Sequence, residues 1–447
     1  MASNALLTDL YELTMVAAYV AEGIAERPAT FSLFVRSLPP QRGYLVAAGL
    51  EAVLDYLESV RFDDDDLAVL DRLDLFDQSF LDHLAQLRFT GTVRAVGEGA
   101  IVFAEEPLLE VDAPIGQAQL TETFVLNQMT TGTTLASKAA RYRHAARGRP
   151  VIDFGFRRAQ GVDAAMAVAR AVRICGLGGT SNVAGGHRFG VRTSGTMAHS
   201  FVQAYEDEAE AFRVFARHFG SAAVFLVDTF DTRRGVARAV EVARECRSRG
   251  LDVRGVRLDS GDFLALARDA RRQLDEAGFP DMQILASGGI DEHAIERLLD
   301  AGAPIDGFGV GSSLAVSSDA PVLDSVYKLV AFAGRPVRKT SEGKVTWPGQ
   351  KQVWRGDDHD VLGLADEEGP GTGTPLLEEV MHDGRRTDAG RADLAAASAR
   401  FEDHWSRLPA AVRRLSDPDP WPVRPSAALE RLTADVDARR AGAVQAR

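Results

Sequence analysis

The chain has 447 residues, 45% hydrophobic and 26% charged, which excludes a fibre or a largely disordered protein and predicts about two or three domains. Its 51 Lys and Arg against 64 Asp and Glu leave a formal charge of −13, so a nucleic-acid binder, which needs a basic face to displace phosphate counterions, is disfavoured. Five of the basic residues are lysine, and the rest are arginine, the better partner for carboxylates and phosphates. The two cysteines, Cys175 and Cys246, lack metal-ligand spacing and fit a reducing cytosol. MASNALLTDLYELT at the start is acidic rather than basic, so no signal peptide is expected, and no apolar run reaches the ~18 residues of a membrane span.

Helical periodicity covers 5–23 and 44–59, with Leu50, Val53, Leu54 and Leu57 on one face. Asp63-Asp64-Asp65-Asp66 reads as a solvated helix start, because consecutive acids on a helix cannot converge on one ion. From Arg88 to Ile115 the alternation predicts an antiparallel sheet with a tight turn at Gly97-Glu98-Gly99, followed by a helix over 119–146. Strands and helices then alternate: strand 151–154, helix 161–175, strand 191–195 and helix 199–219 burying Val202, Tyr205, Ala209, Phe212, Phe215 and Phe219. The series continues with strand 223–228, helix 232–249, strand 253–259, helix 262–277, strand 282–287, a helix capped by Asp291 and strand 306–311. Such repetition means right-handed parallel crossovers, built as a doubly wound sheet or a barrel. Nearly every strand ends in Gly or polar residues, and only a barrel gathers all those ends at one mouth.

The fold expected is therefore α/β, a TIM-like parallel β/α barrel with a second α+β domain built from the N- and C-terminal segments. Its parts are 1–145, an N-terminal α+β domain; 146–335, the catalytic barrel; and 336–447, a C-terminal segment too poor in apolar residues to form a large core alone. That last segment holds short strand-like pieces (RPVRKT, GKVTW, KQVWR), a Gly- and acid-rich loop over 356–374 and a helical tail.

Chemistry concentrates at the strand ends. Ser287-Gly288-Gly289 and Gly309-Val310-Gly311-Ser312 place bare backbone amides where an anion can sit, and barrels commonly hold a phosphate after their last two strands. A dinucleotide fingerprint fits worse, since Gly307, Gly309 and Gly311 are wrongly spaced. Arg257-Leu258-Asp259-Ser260-Gly261-Asp262 sets a cation and two carboxylates at one strand end, with Asp228 one unit earlier. Arg257 can take an anionic substrate and the carboxylates a Mg²⁺, directly or through water. His199, just past a strand and opening a predicted long helix, stands where a phosphoryl group would be favoured. Asp153-Phe154-Gly155-Phe156-Arg157 offers a ring to stack on a flat substrate, and Arg157 can pair with an anion. These residues alone describe a barrel enzyme for a phosphorylated substrate, with the reaction left open.

Together they resemble the nicotinate phosphoribosyltransferases, type II phosphoribosyltransferases. The likeness lies in TDLYELTM (8–15), FRRAQG (156–161), TSNV (180–183), GTMAHSF (195–201), VRLDSGD (256–262) and VYKLV (326–330), six stretches in the family's order. The resemblance implies that nicotinate and 5-phosphoribosyl 1-diphosphate give nicotinate mononucleotide and diphosphate, with ATP hydrolysed through a phosphohistidine at His199. It gives Asp228 and Asp259 the Mg²⁺ and the ribose hydroxyls, Gly288, Gly289, Gly311 and Ser312 the 5-phosphate, and Arg257, Thr196 and Phe154 the nicotinate. Ser181 stands where nicotinamide-specific relatives carry an acid, and a neutral residue there suits a carboxylate. It further implies a homodimer in which Tyr11, Arg36 and Lys339 reach the site of the other subunit, and the cysteine usage and lack of a signal peptide or membrane span lead us to expect a cytoplasmic protein. A non-catalytic nucleotide-binding barrel is the alternative from another class, disfavoured because His199, Asp228, Arg257 and Asp259 occur together.

Overall fold

The computed structural model describes residues 4–341, 344–371 and 373–445. Gly343, in the GKVTW piece, and Thr372, in the 356–374 loop, lie outside the described residues. The chain forms two compact units, one from 1–137 with 322–447 and the other from 138–321.

In the first unit seven antiparallel strands lie in the order Arg335–Pro336, Ser325–Phe332, Pro28–Val35, Pro107–Pro114, Thr92–Val96, Leu377–His382 and Arg385–Arg386. Pro28–Val35 is buried from Ala29 to Val35, Thr30 and Ser32 included, so the strand is covered on both faces. Its Leu33 lies opposite Tyr327 on one side and Leu109 on the other, and Phe31 stacks on Tyr327 with ring centroids 4.8 Å apart. One sheet therefore joins segments from both ends of the chain. The acid run at 63–66 starts the helix Asp64–Asp71 with a reciprocal capping box between Asp63 and Asp66, as its composition predicts.

The second unit is built on six parallel strands: β1 (Val151–Asp153), β2 (Gly179–Thr180), β3 (Val224–Leu226), β4 (Gly255–Leu258), β5 (Gln283–Ala286) and β6 (Gly307–Val310). Their spatial order is β2-β1-β6-β5-β4-β3, so the last strand lies beside the first, and a single parallel bridge from Thr180 to Thr193 extends the ladder. Among the described residues no ladder joins β3 to the 191–195 segment, and the hydrogen-bonded sheet is open there.

Several predicted elements change. Residues 191–195 make that one bridge and no strand, because Thr180 alone pairs with them, its amide donating to the Arg192 carbonyl and its carbonyl accepting from the Ser194 amide. The helix expected over 199–219 is two, His199–Gln203 and Glu208–Phe219, because Asp207 caps the second from within, its carboxylate accepting from the Ala209 amide. Phe219, expected inside, is 56% exposed at the end of that helix. Residues 44–59 begin as the strand Leu45–Val46 and become helical only at Leu50, since Gly49 is held at φ +105°. The helix expected over 119–146 is likewise broken at Thr121 into Ile115–Leu120 and Glu122–Ala146.

Candidate functional site

The carboxyl ends of β1, β3, β4, β5 and β6 carry most of the predicted residues of the second unit, while Ser181 follows β2 and Thr196 and His199 follow the bridge at Thr193. After β3 and β4 come Asp228 and Asp259, whose carboxylates are organised by hydroxyls and amides. The Asp259 amide donates to Asp228 Oδ2 at 3.2 Å and the Ser260 hydroxyl to the same oxygen at 2.5 Å, while Asp228 Oδ1 is buried without a partner. Ser287, at the end of β5, is itself buried and spends its hydroxyl on Asp259 Oδ1. Asp262 does not join them: it caps the helix Phe263–Glu276, accepting from Leu264 and Ala265 amides at 3.1 Å. The pair able to face a cation is thus Asp228 and Asp259, and among the described residues no group of three or more metal-type ligands forms.

His199 stands over this pair. Its Nδ1 is 3.2 Å from the Thr229 hydroxyl and its Nε2 3.5 Å from Asp259 Oδ2. Because its helix is a single short turn rather than the long one expected, a long helix dipole does not act on it; side-chain neighbours set its position. Thr229 was not singled out by sequence reasoning, although it directly follows Asp228 at the same strand end.

Arg257 points from β4 toward Thr196 and the Met197 carbonyl, donating to both, the second at 3.0 Å. Burial lowers its pKa, opposed by the charges of Asp259 and Asp228, and its Nε has no partner. The guanidinium carbon is 6.0 Å from the centre of the Phe154 ring. That ring lies against Gly309 on β6, where a Cβ would come within 2.5 Å of it, so glycine makes the space. Phe154, Thr196, Arg257 and Gly309 line a cavity of about 190 Å³ that also meets Arg192 and Arg254.

Asp153 holds the near wall. Buried at the end of β1, it accepts from the Gly155 amide and the Thr180 hydroxyl, each at 2.7 Å, while its carbonyl takes the Ser181 amide. Burial raises its pKa and the two hydrogen bonds oppose that shift. Sequence reasoning placed it at a strand end and missed this bracing role, whose partner is 27 residues away. Arg157 is exposed on the short turn Phe156–Arg158.

Gly288 and Gly289 follow Ser287 with φ of +90° and +69°, a left-handed pair that turns successive amides outward before Asp291 caps Glu292–Asp300. A Cβ on Gly288 would collide with the Asp259 carbonyl. Gly311 and Ser312 open the four-residue turn Ser312–Ala315 beyond β6.

Tyr11, Arg36 and Lys339 belong to the other unit. Tyr11 is 47% exposed on the helix Leu10–Ala21, and burial of its phenol together with Glu122, Glu12 and Asp9 raises its pKa. Arg36 pairs with Asp324 at 3.1 Å, and Lys339 is exposed. Burial lowers the pKa of Lys328, Glu122 opposes that shift, and Arg36, Lys339 and Lys344 lower it further, which marks a cationic group that includes two lysines given no role from the sequence.

A parallel α/β sheet whose strand ends carry glycine turns, an arginine, two carboxylates and a histidine is the architecture of the phosphate-handling α/β enzymes. Residues 6–130 match the nicotinate phosphoribosyltransferase N-terminal domain, and residues 150–346 match the nicotinate phosphoribosyltransferase family. A nicotinate phosphoribosyltransferase of Mycobacterium tuberculosis is 50% identical over 93% of this chain and 89% of its own. That of Bacillus subtilis is 43% identical over 86% and 78%. The crystal structure of human nicotinic acid phosphoribosyltransferase superimposes with a TM-score of 0.86 at 29% identity, covering 96% of this chain and 99% of that one. The nicotinate-nucleotide pyrophosphorylase of Pyrococcus furiosus follows at 0.75 and 25% identity, covering 90% and 95%. The chain belongs to the nicotinate phosphoribosyltransferase family.

Proposed function

We propose that this protein transfers the phosphoribosyl group of 5-phosphoribosyl 1-diphosphate to the ring nitrogen of nicotinate, releasing diphosphate and supplying the first step from nicotinate to NAD. The observation that carries the choice of nicotinate is the cavity beside Phe154: Arg257, Arg192 and Arg254 line it, and no carboxylate does. A carboxylate on a flat ring gains there from Arg257, whose guanidinium carbon is 6.0 Å from the Phe154 ring centre, more than a neutral amide does.

Loss of diphosphate leaves an oxocarbenium-like ribose, so the protein must hold the pyridine nitrogen in line and the leaving polyanion in place. Phe154 and Thr196 position the ring, Arg257 its carboxylate, with Ser181 a neutral neighbour and Arg157 a further anion contact. The amides of Gly288, Gly289, Gly311 and Ser312, at the ends of β5 and β6 beside Ser287 and Gly309, take the 5-phosphate. Asp228 and Asp259 fit a Mg²⁺ chemically: one carboxylate oxygen lacks a partner, and Mg²⁺ is commonly held by one or two carboxylates completed by substrate phosphates and water. When bound, the ion would neutralise charge on the diphosphate.

His199 is proposed to carry ATP coupling. In the tautomer whose Nδ1 proton faces the Thr229 hydroxyl 3.2 Å away, the Nε2 lone pair attacks the γ-phosphorus, ADP leaves, and water later releases phosphate from the phosphohistidine. We also read the six-stranded sheet as a β/α barrel, supported by the adjacency of β6 and β1, and the enzyme as a cytoplasmic homodimer whose subunits lend each other Tyr11, Arg36 and Lys339.

A turnover assay with phosphoribosyl diphosphate and Mg²⁺, offering nicotinate or nicotinamide with and without ATP, tests this beside His199→Ala. Mononucleotide from nicotinate, increased by ATP in the wild type and not in the variant, is the expected result. Equal use of nicotinamide overturns the cavity argument, and an undiminished ATP effect in His199→Ala overturns the phosphohistidine.

A further inference from the structure

A charged cluster lies in the second unit, outside the residues assigned above. Glu292 sits in the first turn of its helix, three residues beyond Gly289, a position where glutamate is normally solvated; here its side chain is 1% exposed. It is held by two cations from the helix Glu122–Ala146. Lys138 Nζ donates to Glu292 Oε1 and Oε2 at 2.7 and 2.6 Å, and Arg141 Nε donates to Oε1 at 2.8 Å.

The same two cations reach the other glycine loop. Lys138 Nζ is 2.8 Å from Asp319 Oδ1 and Arg141 Nε 3.7 Å from Asp319 Oδ2, and Asp319 lies just beyond the turn that starts at Ser312. That loop is closed on itself by a 2.7 Å hydrogen bond between the Ser313 and Ser318 hydroxyls. Tyr142, fully buried and one residue after Arg141, donates to the Ile290 carbonyl at 3.2 Å and also hydrogen-bonds the Ser313 side chain. Positions 138, 141 and 142 are i, i+3 and i+4 and so share one helix face.

We propose that this face is a clamp that sets the spacing of the two glycine loops, making Lys138, Arg141 and Tyr142 positioning residues for the phosphate of the substrate. The inference rests on reading those loops as the 5-phosphate site. Two cations and two carboxylates balance, so the cluster contributes no net charge to a ligand; what it supplies is geometry. Buried ion pairs are poor sources of stability compared with apolar packing, and they are sensitive to the exact arrangement of their partners. Each loop alone could turn its amides outward, but one phosphate can be cradled by both only at a fixed separation.

Two variants test this: Tyr142→Phe, which keeps volume and charge, and Lys138→Met with Glu292→Gln, which leaves Arg141 and Asp319 balanced. For each, calorimetric binding of ribose 5-phosphate, separate KM values for phosphoribosyl diphosphate and nicotinate, and Tm are measured. Tyr142→Phe is expected to weaken ribose 5-phosphate binding and raise the phosphoribosyl diphosphate KM by about fivefold, the worth of one buried hydrogen bond, with kcat and the nicotinate KM unchanged. The double variant is expected to do the same by about tenfold or more. A wild type that does not bind ribose 5-phosphate refutes the phosphate-loop reading. If the wild type binds and Tyr142→Phe binds equally well, or if both KM values rise together, the clamp is refuted while that reading stands. Should the double variant fail to fold, Tyr142→Phe decides alone.

Discussion

Replacing Arg257 by glutamine removes the cation that faces Phe154 while keeping a planar, hydrogen-bonding group of similar reach. In the wild type two of its nitrogens are tied to Thr196 and to the Met197 carbonyl, which orients the guanidinium before any ligand arrives. Each of those two nitrogens carries a second N–H, so donor capacity remains for a carboxylate. A charge-assisted hydrogen bond is worth about 1.5–3 kcal/mol, which corresponds to a loss of about 10- to 150-fold in kcat/KM for nicotinate. Nicotinamide, carrying no charge, loses only the neutral part, and the ratio of nicotinate to nicotinamide kcat/KM is expected to fall by about tenfold or more. Steady-state kinetics with both bases at saturating phosphoribosyl diphosphate reads that ratio. Loss of activity toward both bases in equal proportion would place Arg257 elsewhere in the reaction and refute its pairing with the carboxylate.

Gly288→Ala must carry a side chain at φ +90° into the Asp259 carbonyl; a cost of about 1–2 kcal/mol from the dihedral alone, with the collision added, is expected to raise the phosphoribosyl diphosphate KM by about tenfold or more, checked against Tm. His404, in the first unit, accepts the Ile101 amide at 3.2 Å, and burial, helped by Arg355, lowers its pKa from 6.5 to about 4. Between those values the unfolded chain binds the proton and the folded one does not, so this contribution to stability is present above pH 6.5 and is lost as pH falls toward 4. It amounts to about 3 kcal/mol at most. Chemical denaturation of wild type and His404→Gln at pH 7 and 4.5 should show a smaller acid loss in the variant; identical losses would assign the acid step to other groups.

Local signals were legible before any coordinates. The acids at 63–66 read as a helix start because capping acts over three residues, and the alternation of strand and helix after residue 150 predicted the parallel sheet because it repeats in short units. The carboxylates at 228 and 259 and the arginine at 257 were found because strand ends are where an α/β sheet exposes polar groups. Motif likeness identified the family.

What the chain could not reveal by itself depends on partners distant in sequence. Asp262 and Asp259 are similar as residues, yet one caps its own helix and the other meets Ser287 from the next strand. Residues 199–219 have one continuous apolar period, and the break at Asp207 comes from a local capping bond that competes with it. Lys138 and Glu292 are 154 residues apart, and Pro28–Val35 lies beside strand Ser325–Phe332. Periodicity and capping report forces that act within a few residues, whereas burial of a charge becomes tolerable only when folding brings its counter-charge to it. The sequence alone determined the family, the parallel α/β repeat and which residue types gather at the strand ends; tertiary structure decided which acid caps a helix and which meets a neighbouring strand, what His199 and Arg257 touch, and which charges are buried together.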